Sequence, residues 1–314
     1  MILNDNELAK IDGTALKAIL RNIEEAHLLS AGSRSIKMVI VVSGNEIDCE
    51  TWQKRIDETG PSIFNNDGTT KVLSLQEKVG DKRREGNFLG TLLAYIKMKE
   101  IALPEGIDFR TFVTLVGMLF GRGERMSPFT QIEGDRKPAI ILSSSRIGEN
   151  KYMTAIEEAL HFFTPVAIYL ERRGFRGILD KWGDETEIAS IELWKEPENQ
   201  TQFTEYDVIK FISNMKITEE LARQKDWTVS DGKNNIISML SRNRMDVLIR
   251  QLEKAGVKPD ESGHYHAGVS LGPVAISYDV LDIAVDVFDE EIYRNGVYFD
   301  FDPYFLMALS LEEH

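Results

Sequence analysis

The chain of 314 residues carries one cysteine, Cys49, and five histidines. A single thiol cannot build a disulfide framework or a cysteine zinc site. No stretch approaches the roughly 18 consecutive apolar residues that a membrane span needs. The opening Met1-Ile-Leu-Asn-Asp-Asn-Glu7 lacks the basic start and apolar core of a secretory signal. Together these absences predict a soluble cytoplasmic protein. Positive charge is also scarce, with 37 Lys and Arg against 51 Asp and Glu, a net charge of −14. So acidic a chain offers no general basic face for nucleic acid or for an anionic membrane. A small anionic substrate is not excluded, because a local cationic loop governs its own pocket. With 42% hydrophobic residues, 28% charged residues and nine prolines, the composition is globular. The length suits one large α/β domain or two modest ones. Oligomeric state is not legible.

The most informative stretch runs from Gly117 to Pro138. It follows Phe112-Val-Thr-Leu-Val116, an apolar and β-branched run that reads as a buried strand ending at a glycine. Glycines then stand at 117, 121, 123 and 134, and basic residues at 122, 125, 136 and 137. Glycine permits left-handed backbone and close approach of N–H groups to a ligand. Such N–H groups make an anion-binding concavity, and Arg or Lys neutralises what sits in it. The stretch reads as a polyphosphate loop at the C-terminal end of a strand, where open α/β sheets bind ligands. The bland alternative is a surface loop that happens to be glycine-rich and basic.

Around that loop the chain alternates strands and helices. Helical spacing covers 5–30, with Asp12-Gly13 as a divider. Strands are expected at 38–42 and 71–75, and a helix over 49–59 stopped by Gly60-Pro61. Gln76 then leads through a polar loop to Arg84-Glu-Gly86-Asn-Phe-Leu-Gly90-Thr91, which opens a helical run over 92–98. A glycine turn opening a helix presents unpaired N–H groups, although a tight loop needs no ligand. Further expectations are a short strand at 139–142 and a helix over 153–173, kinked or divided by Pro165. A strand at 176–179 runs into Asp180-Lys-Trp-Gly183-Asp184, and strand-like pieces follow at 188–193 and 208–212. A hairpin turns at Asp231-Gly232 between 222–229 and 236–239. A helix over 246–255 is capped by Gly256, a strand spans 264–276 and a helix spans 278–288. His161, among apolar neighbours, reads as a core residue. His264 and His266 alternate on a strand with no third ligand near in sequence, which argues against zinc. The pattern is α/β, a mostly parallel twisted sheet flanked by helices. Its parts are an N-terminal helical segment (1–35), a nucleotide-binding part (36–190) and a sugar-binding part of the same domain (191–314).

Gly121-Arg-Gly-Glu-Arg125-Met-Ser-Pro128-Phe-Thr130 followed by Lys137-Pro138 resembles the signature of the sugar-1-phosphate nucleotidylyltransferases, the nucleoside-diphosphate-sugar pyrophosphorylases. The resemblance implies that Gly121, Arg122 and Gly123 wrap a nucleoside triphosphate, that Arg125 contacts the leaving pyrophosphate and that Lys137 contacts phosphate. Phe120 stands where the family usually has another glycine. Gln76, Gly86, Gly90 and Thr91 resemble the family's base-binding unit, a strand ending in Gln before a glycine turn, and favour uridine. A strand ending in Gly-Asp resembles its metal-binding strand, which implies Mg²⁺ on Asp184. The carboxylate chemistry suits a hard cation, while the bland reading is a turn with a solvated Asp. Asp300 or Asp302 would complete the metal site, and Asp302 before a proline suits a helix N-cap equally. Ser270, where the family usually has Asn, and Gly272 would line the sugar pocket. The implied partners are a nucleoside triphosphate, UTP favoured, and a sugar-1-phosphate.

Chain order differs from the family's, in which the phosphate loop opens the domain. Here the strand–Gln–glycine unit comes first, as after a circular permutation, or else one of the two resemblances is a coincidence. Two other functions stay open at this level. One is a non-catalytic nucleotide or nucleotide-sugar binding protein, and the other is a glycosyltransferase of related fold.

Overall fold

The computed structural model describes residues 13–30, 36–44, 46–64, 69–76, 87–119, 137–147, 151–183, 185–191, 193, 202–230 and 235–288. Its elements in chain order begin with α1 (Gly13–Ser30), β1 (Met38–Ser43), α2 (Glu46–Ile63), β2 (Lys71–Gln76) and α3 (Asn87–Ala102). Next come β3 (Val113–Met118), β4 (Ile141–Ile147), β5 (Lys151–Thr154), α4 (Ala155–Arg172) and β6 (Gly177–Trp182). The remainder is β7 (Val208–Lys216), α5 (Glu219–Gln224), β8 (Trp227–Ser230), β9 (Ile236–Leu240), α6 (Met245–Lys254), β10 (His266–Ser277) and α7 (Tyr278–Val287). The chain is α/β, a mixed sheet with a mostly parallel core flanked by helices. The described residues form two compact units. The chain passes from the first to the second after Val208 and returns at Ala275.

In the first unit the strands lie in the order β2-β1-β3-β6, all parallel. Every residue of β1 (MVIVVS) and of β3 (VTLVGM) is buried. Such unbroken runs are what a parallel strand covered on both faces requires. Each large apolar side chain so buried contributes about 1.5–3 kcal/mol. Alternation along β3 shows which helix covers which face. A side chain at Gly117 would meet Leu160 and Ile156 of α4 at 3.0–3.1 Å, whereas the Thr114 hydroxyl meets Met98 of α3 and Tyr278 of α7. Gly60 of α2 packs on Val72, which shares its face with Leu115 through the register Val72↔Val39↔Leu115. So α2 and α4 cover one face, and α3 and α7 the other.

The connections follow from this. The β1–α2–β2 and β2–α3–β3 crossovers move in opposite directions on opposite faces, and therefore share one hand. The β3-to-β6 connection through α4 moves outward on the α2 face and has the other hand, an exception to the strong right-handed rule. It also carries the antiparallel pair β4–β5. At the far side of β6, a Cβ on Gly177 would lie 2.1 Å from the Ile276 carbonyl oxygen. Only glycine lets these two backbones approach so closely.

The second unit is built on antiparallel pairs, β8 with β9 and β8 with β10, and β7 also pairs β10. Its core gathers Trp227, Val229 and Val269 from strands with Ala222, Leu248 and Leu252 from α5 and α6. Gly256 follows α6 at φ +83°, as a left-handed cap glycine should.

Several expectations are corrected. The helix expected to stop at Gly60-Pro61 continues to Ile63, because Ile63 and Phe64 are buried at its end and draw the last turn inward. Pro165 neither breaks nor divides α4. The run Phe163–Ile168 is buried throughout, and that packing outweighs the lost backbone bond. The strand expected at 188–193 does not form among its described residues. The side-chain amide of Asn22 on α1 donates to the carbonyls of Ala189 and Ile191 at 2.9 and 2.8 Å, taking acceptors that a neighbouring strand would need. The strand expected at 139–142 begins at Ile141, after a 3-10 turn over Lys137–Ala139, and residues 219–224 are helical.

Candidate functional site

In parallel strands a common register fixes which ends coincide. Ser43 lies opposite Gln76, Val42 opposite Met118, and Met118 opposite Trp182. The C-terminal ends of β2, β1, β3 and β6 therefore form one edge of the first unit. Backbone bonds extend it past the strands, since the Leu119 N–H donates to the Val42 carbonyl at 2.9 Å and the Gly183 N–H to the Met118 carbonyl at 3.0 Å. β1 connects onward to β2 on one side while β3 lies on its other side. The gap between the ends of β1 and β3 is thus a topological switch point, the place where open α/β sheets bind ligands.

The expected site residues fall around this edge in three groups. Arg125, Asp184, Gly121, Arg122, Gly123, Gly86, Asp300 and Asp302 lie outside the described residues. The stretch from 120 leaves the edge after Leu119, and residue 184 follows Gly183. The backbone of Lys137 lies in the 3-10 turn before β4, and the Ala155 N–H at the start of α4 donates to the adjoining Ile140 carbonyl at 2.9 Å. α4 returns antiparallel to the strands, so its start is at this same edge. Glu157 fixes it there, accepting from Arg55 Nε at 2.9 Å, from the Thr59 hydroxyl at 2.7 Å and from the Thr154 N–H at 2.7 Å. Gln76 closes β2, half-buried at the edge.

Gly90 and Thr91 belong to the first turns of α3 and are both buried. The Thr91 hydroxyl faces the sheet and donates to Asp180 Oδ2 on β6 at 2.6 Å. Ser43 is likewise buried, its hydroxyl donating to the Leu75 carbonyl at 3.1 Å. Ser270 and Gly272 lie on β10 in the second unit. The Ser270 N–H donates to the Asp226 carbonyl at 2.9 Å, and the Lys210 ammonium lies against the carbonyls of Leu271, Gly272 and Pro273.

The histidines are engaged by the fold. His161 is buried, with Nδ1 3.0 Å from the Ile63 carbonyl oxygen and Nε2 3.2 Å from Nδ1 of His27. Burial lowers its pKa from 6.5 to about 4. His266 Nε2 lies 3.0 Å from Asp260 Oδ2, and Asp260 Oδ1 accepts the His264 N–H.

One charged group at the edge was not anticipated. Lys181, one residue before the end of β6, is 0% exposed. Its ammonium pairs with Glu187 at 2.5 Å, donates to the Trp182 carbonyl at 3.0 Å and stands 5.7 Å from the Phe163 ring centroid. Burial pushes the Glu187 carboxyl above its ordinary value, further than the neighbouring ammonium pulls it down. The register pairs Lys181 with Gly117, whose missing side chain leaves room on that face. That pairing, together with a Glu six residues on, is the only sequence signal for it.

Among the described residues no group of three His, Cys, Asp or Glu side chains is placed to hold a metal ion. Nor is any described helix long and apolar enough to cross a membrane. No protein-family model matches the chain, and no curated protein matches it.

Proposed function

We propose that the chain is a sugar-1-phosphate nucleotidylyltransferase. The observation that carries this reading is the shared edge: a glycine-rich cationic stretch continues from β3 at the switch point, in register with the end of β1. The ends of β2 and β6, which lead to the glycine turn at 86 and to Asp184, lie at the same edge. The reading does not depend on a permuted order, because a site is set by where loops converge and not by which strand comes first.

In this reaction a phosphate oxygen of the sugar-1-phosphate attacks the α-phosphorus of the triphosphate. The bond to the bridging oxygen breaks, pyrophosphate leaves, and the nucleotide sugar forms. The protein has little covalent work to do. It holds two anions in line and offsets their charge. Arg122 and Arg125 would grip the β- and γ-phosphates, with Arg125 on the departing pyrophosphate, and Lys137 would face the sugar phosphate. Gln76, with Gly90 and Thr91 shaping the helix start behind it, would contact a uracil edge. Ser270 and Gly272 would contact the sugar.

The described residues do not themselves supply a magnesium set. Asp180, the described carboxylate on β6 at this edge, is engaged by Thr91. Bound to Asp184 with Asp300 or Asp302, Mg²⁺ would offset phosphate charge as a Lewis acid. No step here is routed through it.

The test is pyrophosphate release by purified protein given each nucleoside triphosphate and a panel of sugar-1-phosphates with Mg²⁺. UTP-dependent release is expected. Binding of nucleotide or nucleotide sugar without release would favour a non-catalytic binding protein, the reading that Phe120 and Ser270 favour. Sugar transfer from a nucleotide sugar to an acceptor, with no pyrophosphate formed, would favour the glycosyltransferase reading.

A further inference from the structure

A lysine ammonium is almost never fully buried unless something compensates it. Lys181 is compensated in a particular direction. Its carbon stem lies on the α4 face of β6, over the Phe163 ring, while its ammonium turns back along its own chain. There it holds the Trp182 carbonyl and the Glu187 carboxylate at once. These two partners stand immediately before and four residues beyond Gly183. One cation therefore clasps both ends of the segment through which the chain leaves the sheet edge.

Nothing in β6 as a strand requires this. The Gly183 N–H bond to Met118 already continues the pairing with β3, and a leucine would fill the space over Phe163 without desolvating a charge. A buried ion pair adds little net stability over apolar residues of like size, and what it can add is a defined local conformation. The neighbours of Glu187 agree with that. Thr186 donates to Glu158 Oε2 at 3.1 Å, and Ser145 donates to Glu158 Oε1, so the segment is tied to the start of α4 as well.

We propose that Lys181 is a positioning residue: paired with Glu187, it fixes the segment after β6 so that the chain at this edge presents its ligand-binding groups in one arrangement. The proposal rests on the nucleotidylyl-transfer reading for what the segment serves, and on the clasp geometry alone for what holds it. Lys181 does not itself touch substrate.

The experiment uses the full chain in three forms: wild type, Lys181→Met, and the double variant Lys181→Met/Glu187→Leu. The double variant removes both charges, so no buried carboxylate is left alone and folding is preserved. Hydrogen exchange followed by mass spectrometry reads the peptide covering 182–187 without any ligand, and pyrophosphate release reads the reaction. In the double variant, exchange of that peptide should quicken at least tenfold while the peptides of β3 and α4 keep their protection. Turnover should fall at least tenfold, and the Mg²⁺ concentration for half-maximal rate should rise more than KM for the triphosphate. Unchanged exchange in that peptide, or wild-type turnover in the double variant, would overturn the proposal. If exchange quickens but the wild type releases no pyrophosphate from any substrate pair, the clasp is a structural staple and its role in transfer is overturned together with the functional reading.

Discussion

The hydroxyl of Thr91 on α3 donates to Asp180 Oδ2 on β6 at 2.6 Å, with both residues buried. This contact fixes the early part of α3 against the sheet near its C-terminal edge. Thr91→Val keeps the shape and removes the donor from a buried carboxylate, which costs about 1–3 kcal/mol. Thr91→Ser keeps a hydroxyl and should lose less. The midpoint of urea unfolding measures both, and a valine variant within a few tenths of a kcal/mol of wild type would show that the contact contributes nothing.

His161 makes stability fall with acid. Its folded-state pKa, lowered from 6.5 to about 4 by burial, means that the unfolded chain binds a proton first as pH drops. The contribution is fully present above pH 6.5 and is lost between about 6.5 and 4. Between pH 7 and pH 5 the loss is about 2 kcal/mol by linkage. A His161→Gln variant should show a correspondingly smaller difference between those two pH values in urea unfolding, whatever its absolute stability. Equal pH differences in the two proteins would contradict the assignment.

Two glycines of the parallel core should differ sharply on substitution. A Cβ at Gly117 meets side-chain methyls of Leu160 and Ile156 at 3.0–3.1 Å, and these can shift by a few tenths of an ångström. A Cβ at Gly177 meets the backbone oxygen of Ile276 at 2.1 Å, which cannot move without displacing β10. Gly117→Ala is expected to cost about 1–2 kcal/mol, within the range for overpacking, and Gly177→Ala more than about 3 kcal/mol. Thermal unfolding of the two variants gives the ranking directly.

Arg125→Ala should cut turnover well over tenfold with the fold intact, since an interaction made on the leaving pyrophosphate acts mainly in the transition state. Steady-state rates with saturating triphosphate measure it. Wild-type turnover would remove Arg125 from the site.

The parallel core was legible because its strands are buried on both faces. β1, β2, β3 and β6 read as short apolar runs ended by Ser, Gln or Gly, and the structure forms strands there. Where tertiary contacts override local signals, the sequence misled. Gly60-Pro61 reads as a stop, yet Ile63 and Phe64 find buried places beyond it. Residues 188–193 have strand composition, yet Asn22, far away in the chain, takes two of their carbonyls. For the edge itself the sequence named the connecting loops and missed what surrounds them. Lys181 and Asp180 looked like a polar tip because a lone sequence does not show that their partners, Glu187 and Thr91, lie within reach. The glycine-rich cationic stretch beyond residue 119 rests on the sequence alone.

The carbonyl of Asp207 accepts the Ser277 N–H at 2.8 Å, so the chain's points of departure from and return to the first unit are hydrogen-bonded neighbours. Everything between them is in effect a cassette spliced into one site. Deleting residues 209–274 leaves ends that a loop of about two to five residues can rejoin. The larger unit can then be produced alone, and the nucleotide half of the reading assayed without the half that would hold the sugar.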